Sequence, residues 1–185
     1  LNVPRILETD LSQGFLLLTD LGSRQYLTAL YEARESSQNA VIERLYHDAF
    51  DALLCLQSAG QTKGKALPQY DHALLMNEMR LFSDWFLEQH LSITLSEEEV
   101  SALEDMFKLL AENALAQPHT WVHRDYHSRN LMVVADNNPG ILDFQDAVIG
   151  PVTYDLVSLL RDCYIQWPYG RVEAWAKEYF MLAKQ

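Results

Sequence analysis

Cysteine and basic charge are both scarce in this 185-residue chain, and each shortage removes a class of protein. The two cysteines, Cys55 and Cys163, are too few and too far apart for a disulfide scaffold or a zinc site. They read instead as core or free thiols in a reducing cytosol. Fourteen Lys and Arg stand against 26 Asp and Glu, a net charge of −12. A surface for nucleic-acid phosphates would need clustered cations, so no nucleic-acid partner is expected. No apolar run approaches the ~20 residues that cross a bilayer, and no signal peptide is visible, so the expected location is cytoplasmic, with no membrane partner. Internal repeats and low-complexity tracts are missing too. What remains is a chain that is 49% hydrophobic, enough to bury the core of one domain. The sequence does not reveal its oligomeric state.

Apolar spacing suggests a mostly helical chain. Phe15-Leu16-Leu17-Leu18-Thr19 predicts a short strand, closed by Asp20-Leu21-Gly22-Ser23. Val41, Leu45, Ala49, Leu53 and Leu56 form a helical stripe over 38–58. A loop over 60–69 follows, in which Lys63 and Lys65 read as solvated charges. Asp71 starts a helix to about His90, whose Leu74, Leu75, Met79, Phe82, Trp85 and Phe86 are expected to pack into the core rather than wall a ligand. Ser96 and Glu99 form a capping box for a helix to about Ala116, burying Val100, Leu103, Phe107 and Leu110. Glu97-Glu98-Glu99 suits the positive end of that helix dipole as a solvated first turn. Trp175, Tyr179, Phe180 and Leu182 mark an amphipathic helix over 173–185.

The chemistry concentrates between these helices. Trp121-Val122, Leu131-Met132-Val133-Val134 and Ile141-Leu142 are short β-prone runs, and Asp136-Asn137-Asn138-Pro139-Gly140 is a turn signal. They frame His123-Arg124-Asp125 with Asn130 five residues after the Asp, and Leu142-Asp143-Phe144 further on. Phosphoryl transfer asks a protein mainly to position charge around a nucleotide's γ-phosphate. In an H-R-D-x-x-x-x-N loop the Asp meets the acceptor hydroxyl, and the Asn turns an oxygen toward magnesium. Asp143 would supply a second hard oxygen, which suits a cation that keeps its remaining sites for water and phosphate. The alternative is a buried His123–Asp125 pair in a turn, with Asn130 capping a turn and Asp143 ending a strand. Strand, loop, strand, turn and strand would bring Asp125, Asn130 and Asp143 to one edge.

The His-Arg-Asp loop, Leu142-Asp143-Phe144-Gln145 in place of Asp-Phe-Gly, and Gly150-Pro151-Val152-Thr153-Tyr154-Asp155-Leu156 resemble the aminoglycoside phosphotransferase and choline kinase superfamily. Residues 122–132, 142–148 and 154–167 are most similar to bacterial anomeric kinases of N-acetylmuramate and N-acetylglucosamine in cell-wall recycling. The resemblance implies an α+β fold. Residues 21–185 would be the helical large lobe of a protein-kinase-like fold with a small β hairpin region at the catalytic loop. Residues 1–20 would be the last strand of the small lobe and the hinge. It also implies ATP and Mg²⁺ as cofactors and a small-molecule substrate, with an aminoglycoside or choline-type kinase and a non-catalytic pseudokinase-like module as the alternatives.

Carried over by residue, Asp125 is the expected base, His123 the brace of its loop, and Asn130 and Asp143 the magnesium ligands. Backbone groups of Leu18, Thr19 and Asp20 would meet adenine, unless the strand is an ordinary edge strand. Asp155 either supports the catalytic loop or caps a helix. Tyr126, His127, Ser128, Arg129 and Asp146 neighbour the acceptor site by sequence. Of these, His127, Arg129 and Asp146 are the candidate substrate contacts, and Arg129 would meet a muramate carboxylate or a phosphate, unless it makes an ion pair within the acidic lobe. Tyr154, Arg161, Tyr164, Trp167 and Trp175 offer sugar-pocket walls, although core packing is the favoured reading. The family's phosphate-covering loop and its Lys are not found in the chain, and Lys63 and Lys65 come too late in order to replace that Lys. The 185 residues alone are therefore expected to be inactive, with further helices expected beyond Gln185.

Overall fold

The computed structural model describes residues 1–62 and 67–184. Lys63, Lys65 and Gln185 lie outside the described residues. Helix α2 (Asn39–Thr62) is the centre of the main core, since Ile42, Leu45, Tyr46, Ala49, Phe50 and Leu53 recur on one face and are all buried. Helix α1 (Tyr26–Glu35) lays Tyr26, Ala29, Leu30 and Ala33 against it. A second, smaller core joins α3 (His72–Leu81) to α4 (Glu97–Leu115) through Leu75, Met76, Phe107 and Ala111. Helices α5 (Tyr154–Leu160) and α6 (Tyr169–Leu182) complete the helical set. No described helix is long and apolar enough to cross a membrane.

Among the described residues, three two-stranded antiparallel sheets lie between the helices. β1 (Ile6–Asp10) pairs with β2 (Phe15–Leu18), β3 (His119–Val122) with β6 (Val148–Pro151), and β4 (Leu131–Met132) with β5 (Gly140–Ile141). β1 is not anticipated from the sequence because the β1–β2 ribbon is largely exposed on both faces, so no apolar alternation marks it.

The helix expected over 71–90 differs in its second half. Asp71 caps α3 by accepting the Leu74 N–H at 2.9 Å, but residues Phe82–His90 continue as a π-helix. The Ser83 hydroxyl donates to the Arg80 carbonyl at 2.9 Å, competing with the α-helical ladder at the junction. The wider turn breaks the 3.6-residue phase, so the expected core aromatics are corrected: Phe82, Trp85 and Phe86 are exposed, Trp85 by 66%. The capping box at Ser96 and Glu99 is present, and Leu103 and Phe107 pack as expected. Val100 and Leu110 are exposed instead, because α4 packs mainly on α3 and only a narrow stripe of it is covered. In α6, Trp175 and Tyr179 are buried while Phe180 faces out. Cys55 and Cys163 are free and exposed.

Candidate active site

The β4–β5 pairing explains why residues distant in sequence converge. Leu131 lies opposite Ile141, so the residues just outside the pair, Asn130 and Leu142, also face each other, and the Leu142 N–H donates to the Asn130 carbonyl at 2.9 Å. The Asn130 amide then donates to the Asp125 carbonyl at 3.0 Å and to Asp143 Oδ2 at 3.4 Å. Both partners are acceptors, which orients the amide nitrogen toward them and leaves Oδ1 for a ligand. Asp125, Asn130 and Asp143 thus meet at one edge. The Asp125 and Asp143 side chains are exposed there. Asp143 adopts a φ of 65°, a left-handed conformation that costs a non-glycine residue about 1 kcal/mol or more and marks functional sites. Gln145, in the position where protein kinases have Gly, donates to Asp143 Oδ1 at 2.6 Å. The sequence marks that replacement without revealing the bond.

His123 is 2% exposed and bonded at both ring nitrogens. Nε2 lies 2.9 Å from the Leu142 carbonyl, and Nδ1 accepts the Asp125 N–H at 3.2 Å. Only the neutral Nε2–H tautomer satisfies both contacts, and burial holds the imidazole pKa below its usual value in the same sense. His123 therefore ties the segment bearing Asp125 to the segment bearing Asp143.

Asp155 is not a helix cap: Thr153 occupies that position, and Asp155 sits in the first turn of α5 at 0% exposure. Its carboxylate accepts the backbone N–H groups of His123 at 2.7 Å and Arg124 at 3.0 Å. Burial raises its pKa to about 7, against the pull of those two donors. Tyr126 points away from the acceptor side, wholly buried, with its hydroxyl donating to the Ala49 carbonyl of α2 at 2.7 Å. Ser128 is also buried, its N–H held by Asp162 Oδ2 at 2.9 Å. Asp162, which also accepts the Tyr164 N–H at 2.8 Å, carries no sequence signal that would have singled it out.

Among the candidate substrate contacts, Arg129 lies over the Tyr164 ring at 4.8 Å rather than in an ion pair, and His127 meets that ring edge-on at 5.4 Å. His127 Nδ1 is buried without a hydrogen-bond partner. Asp146 is exposed beyond Asp143 on the same loop. Trp167 and Trp175 are core residues: Trp175 stacks on Tyr46 at 3.8 Å and Trp167 meets Tyr46 edge-on at 6.2 Å. Tyr154 and Arg161 line a cavity of about 600 Å³ between α3, α4 and α5.

The ribbon bearing Leu18 and Thr19 joins the β4–β5 hairpin through the N-terminal segment. The Asn2 carbonyl accepts the Ile141 N–H at 2.8 Å, and the Arg5 carbonyl accepts the Thr19 N–H at 2.9 Å. Thr19's N–H is thereby spent within the ribbon, and Asp20 lies beyond it, accepting the Gly22 N–H at 2.8 Å. Among the described residues no group of three or more His, Cys, Asp or Glu side chains could hold a metal. Asn130 Oδ1 and the Asp143 carboxylate nevertheless suit Mg²⁺, whose few protein oxygens are completed by water and phosphate.

A model of the phosphotransferase enzyme family matches residues 1–184. An N-acetylmuramate/N-acetylglucosamine kinase of Pseudomonas aeruginosa is 44% identical over 182 residues, covering 98% of this chain and 51% of that protein. A protein of the same name from Neisseria meningitidis is 41% identical over 167 residues, covering 90% of this chain and 48% of its own length. The chain thus spans about half the length of these relatives. In fold it is similar to a choline kinase from Streptococcus pneumoniae (TM-score 0.62, 15% identity, 95% of this chain and 55% of the other). It is equally similar to an ADP-bound aminoglycoside phosphotransferase (TM-score 0.61, 18% identity, 98% and 62%). The kinase-like fold expected from the catalytic-loop motifs is therefore present, and the chain belongs to the phosphotransferase enzyme family.

Proposed function

We propose that the protein carrying this chain transfers the γ-phosphate of ATP to the anomeric hydroxyl of an amino sugar, N-acetylmuramate or N-acetylglucosamine. The observation that carries the reading is the convergence of Asp125, Asn130 and Asp143 on one hairpin end, in a chain 44% identical to a kinase of that name. Asp125 accepts a hydrogen bond from the acceptor hydroxyl, aligns its oxygen for in-line attack and takes its proton as the new O–P bond forms. His123 and Asp155 hold the backbone from which Asp125 projects. Asn130 Oδ1 and Asp143 are the residues to hold Mg²⁺, which when bound offsets negative charge on the phosphates. Residues 18–20 form the adenine edge, with Asp20 the one outside the ribbon. Arg129, exposed beside His127, suits the carboxylate of a muramate and opposes a polycationic acceptor.

The test is an acceptor panel with the full-length protein, ATP and Mg²⁺: N-acetylmuramate, N-acetylglucosamine, kanamycin and choline. Sugar-1-phosphate formation supports the proposal. Turnover on kanamycin or choline alone would move the protein to the antibiotic or choline branch, and nucleotide binding without any turnover would make it a binding module.

A further inference from the structure

Arg124 is held in a way that the motif does not explain. It has a φ of 78°, a left-handed backbone that an arginine adopts only when its surroundings impose it. Two anchors do so. Its N–H is fixed by Asp155, and its guanidinium pairs with Glu78 on α3. Glu78 is itself committed, because its other oxygen receives the hydroxyl of Tyr70 and, at 3.3 Å, that of Tyr154. The two tyrosine rings pack edge to face at 5.1 Å, and the Arg124 guanidinium lies 5.8 Å from the Tyr70 ring. The Arg124–Glu78 pair is about three-quarters buried on both sides, so each charge relies on the other rather than on water. Arg124 Nε is buried without a hydrogen-bond partner.

We propose that Glu78 is a positioning residue: by gripping Arg124 from α3 it sets the backbone turn that presents Asp125. This rests on the reading of Asp125 as the base. The residue is 46 positions from its partner in sequence. The tether makes the geometry of the catalytic loop depend on the seating of the α3–α4 pair.

The experiment compares full-length wild type with Glu78→Gln, Arg124→Lys, Arg124→Gln and the double variant Glu78→Gln/Arg124→Gln. Turnover and hydrogen–deuterium exchange are followed together. Glu78→Gln keeps the shape but removes the charge and turns one of the two acceptor oxygens into a donor, and it should lower kcat about tenfold with the KM for ATP within twofold of wild type. Exchange across residues 122–132 should rise while that of α2 stays unchanged. Arg124→Lys, which retains the charge, should recover part of kcat. The double variant should be no worse than the worse single change, since both remove one interaction. Wild-type exchange and kcat in Glu78→Gln, or additive losses in the double variant, would overturn the tether. Should Glu78→Gln fail to fold, the two Arg124 variants decide the point: losses in Arg124→Gln that Arg124→Lys largely recovers support the tether, while no loss in Arg124→Gln, or equal losses in both, overturns it. A wild type with no turnover would overturn the kinase reading alone, while the exchange result would still decide the tether.

Discussion

At the residue scale, the site depends on groups that hold backbone rather than touch substrate. Asp155→Asn keeps the shape but turns an amide donor toward one of two backbone N–H groups, leaving it unpaired. We expect a loss of about 1–3 kcal/mol in stability and a fall in kcat, measured by denaturant titration and turnover. Its pH dependence has a definite sign. The folded-state pKa of Asp155 is raised from 3.8 to about 7, so the stabilisation from its protonated form is complete below pH 3.8 and lost as pH rises through about 7. His123 acts oppositely: its folded pKa is depressed, so its contribution is present above pH 6.5 and lost as pH falls below it. Asp155→Asn should therefore give stability that rises with pH toward 7 more steeply than in wild type, and a steeper fall than in wild type would contradict the assignment. Asn130→Ala, which removes the Oδ1 donor, should raise the Mg²⁺ concentration for half-maximal activity about tenfold, read from a metal titration. The motif letters Asp125, Asn130 and Asp143 were legible because their chemistry fixes both type and spacing. Asp162, Glu78 and the bond from Gln145 were not, since a carboxylate or amide that reaches across the fold has no local pattern.

At the element scale, short pieces decide the site. Strands of two residues, β4 and β5, suffice because their register alone sets Asn130 opposite Leu142. β6 is held against Tyr70, whose N–H donates to the Ile149 carbonyl at 2.8 Å. A Cβ at Gly150 would stand 2.9 Å from Tyr70 Cβ, an atom with no freedom to move. Gly150→Ala should thus destabilise the fold by about 1–3 kcal/mol and loosen Tyr70, visible as a lower thermal midpoint. The helices were readable where one face is covered, as in α2, and where a cap is encoded, as at Ser96. They were misread where the period changes, as in residues 82–90. There a serine in the first turn of the π-helix bonds back to Arg80, and the aromatic stripe rotates outward. The β1–β2 ribbon was half-read for the opposite reason: with neither face buried, composition alone marks β2.

At the scale of the whole molecule, two cores meet around the loop that carries Asp125. The larger one is locked by rings from distant segments, with Trp175 on Tyr46 and each indole N–H satisfied, by Glu43 at 2.6 Å and by Tyr46 at 2.7 Å. Trp175→Ala should cost about 3–5 kcal/mol, measured by chemical denaturation, because it empties the stack and takes the indole donor from Glu43, which keeps its ion pair with Arg171. Tyr126, anchored to α2, joins this core to the loop that carries Asp125. The acidic balance of −12 is carried by solvated faces and by the site's own carboxylates. The central claim is that Asp125 is the base of a sugar kinase, and its most direct test is formation of sugar 1-phosphate from N-acetylmuramate and ATP by the full-length protein and its Asp125→Asn variant. The account predicts a fall of about 100-fold or more in kcat with the KM for ATP little changed. A variant that turns over at the wild-type rate would contradict it.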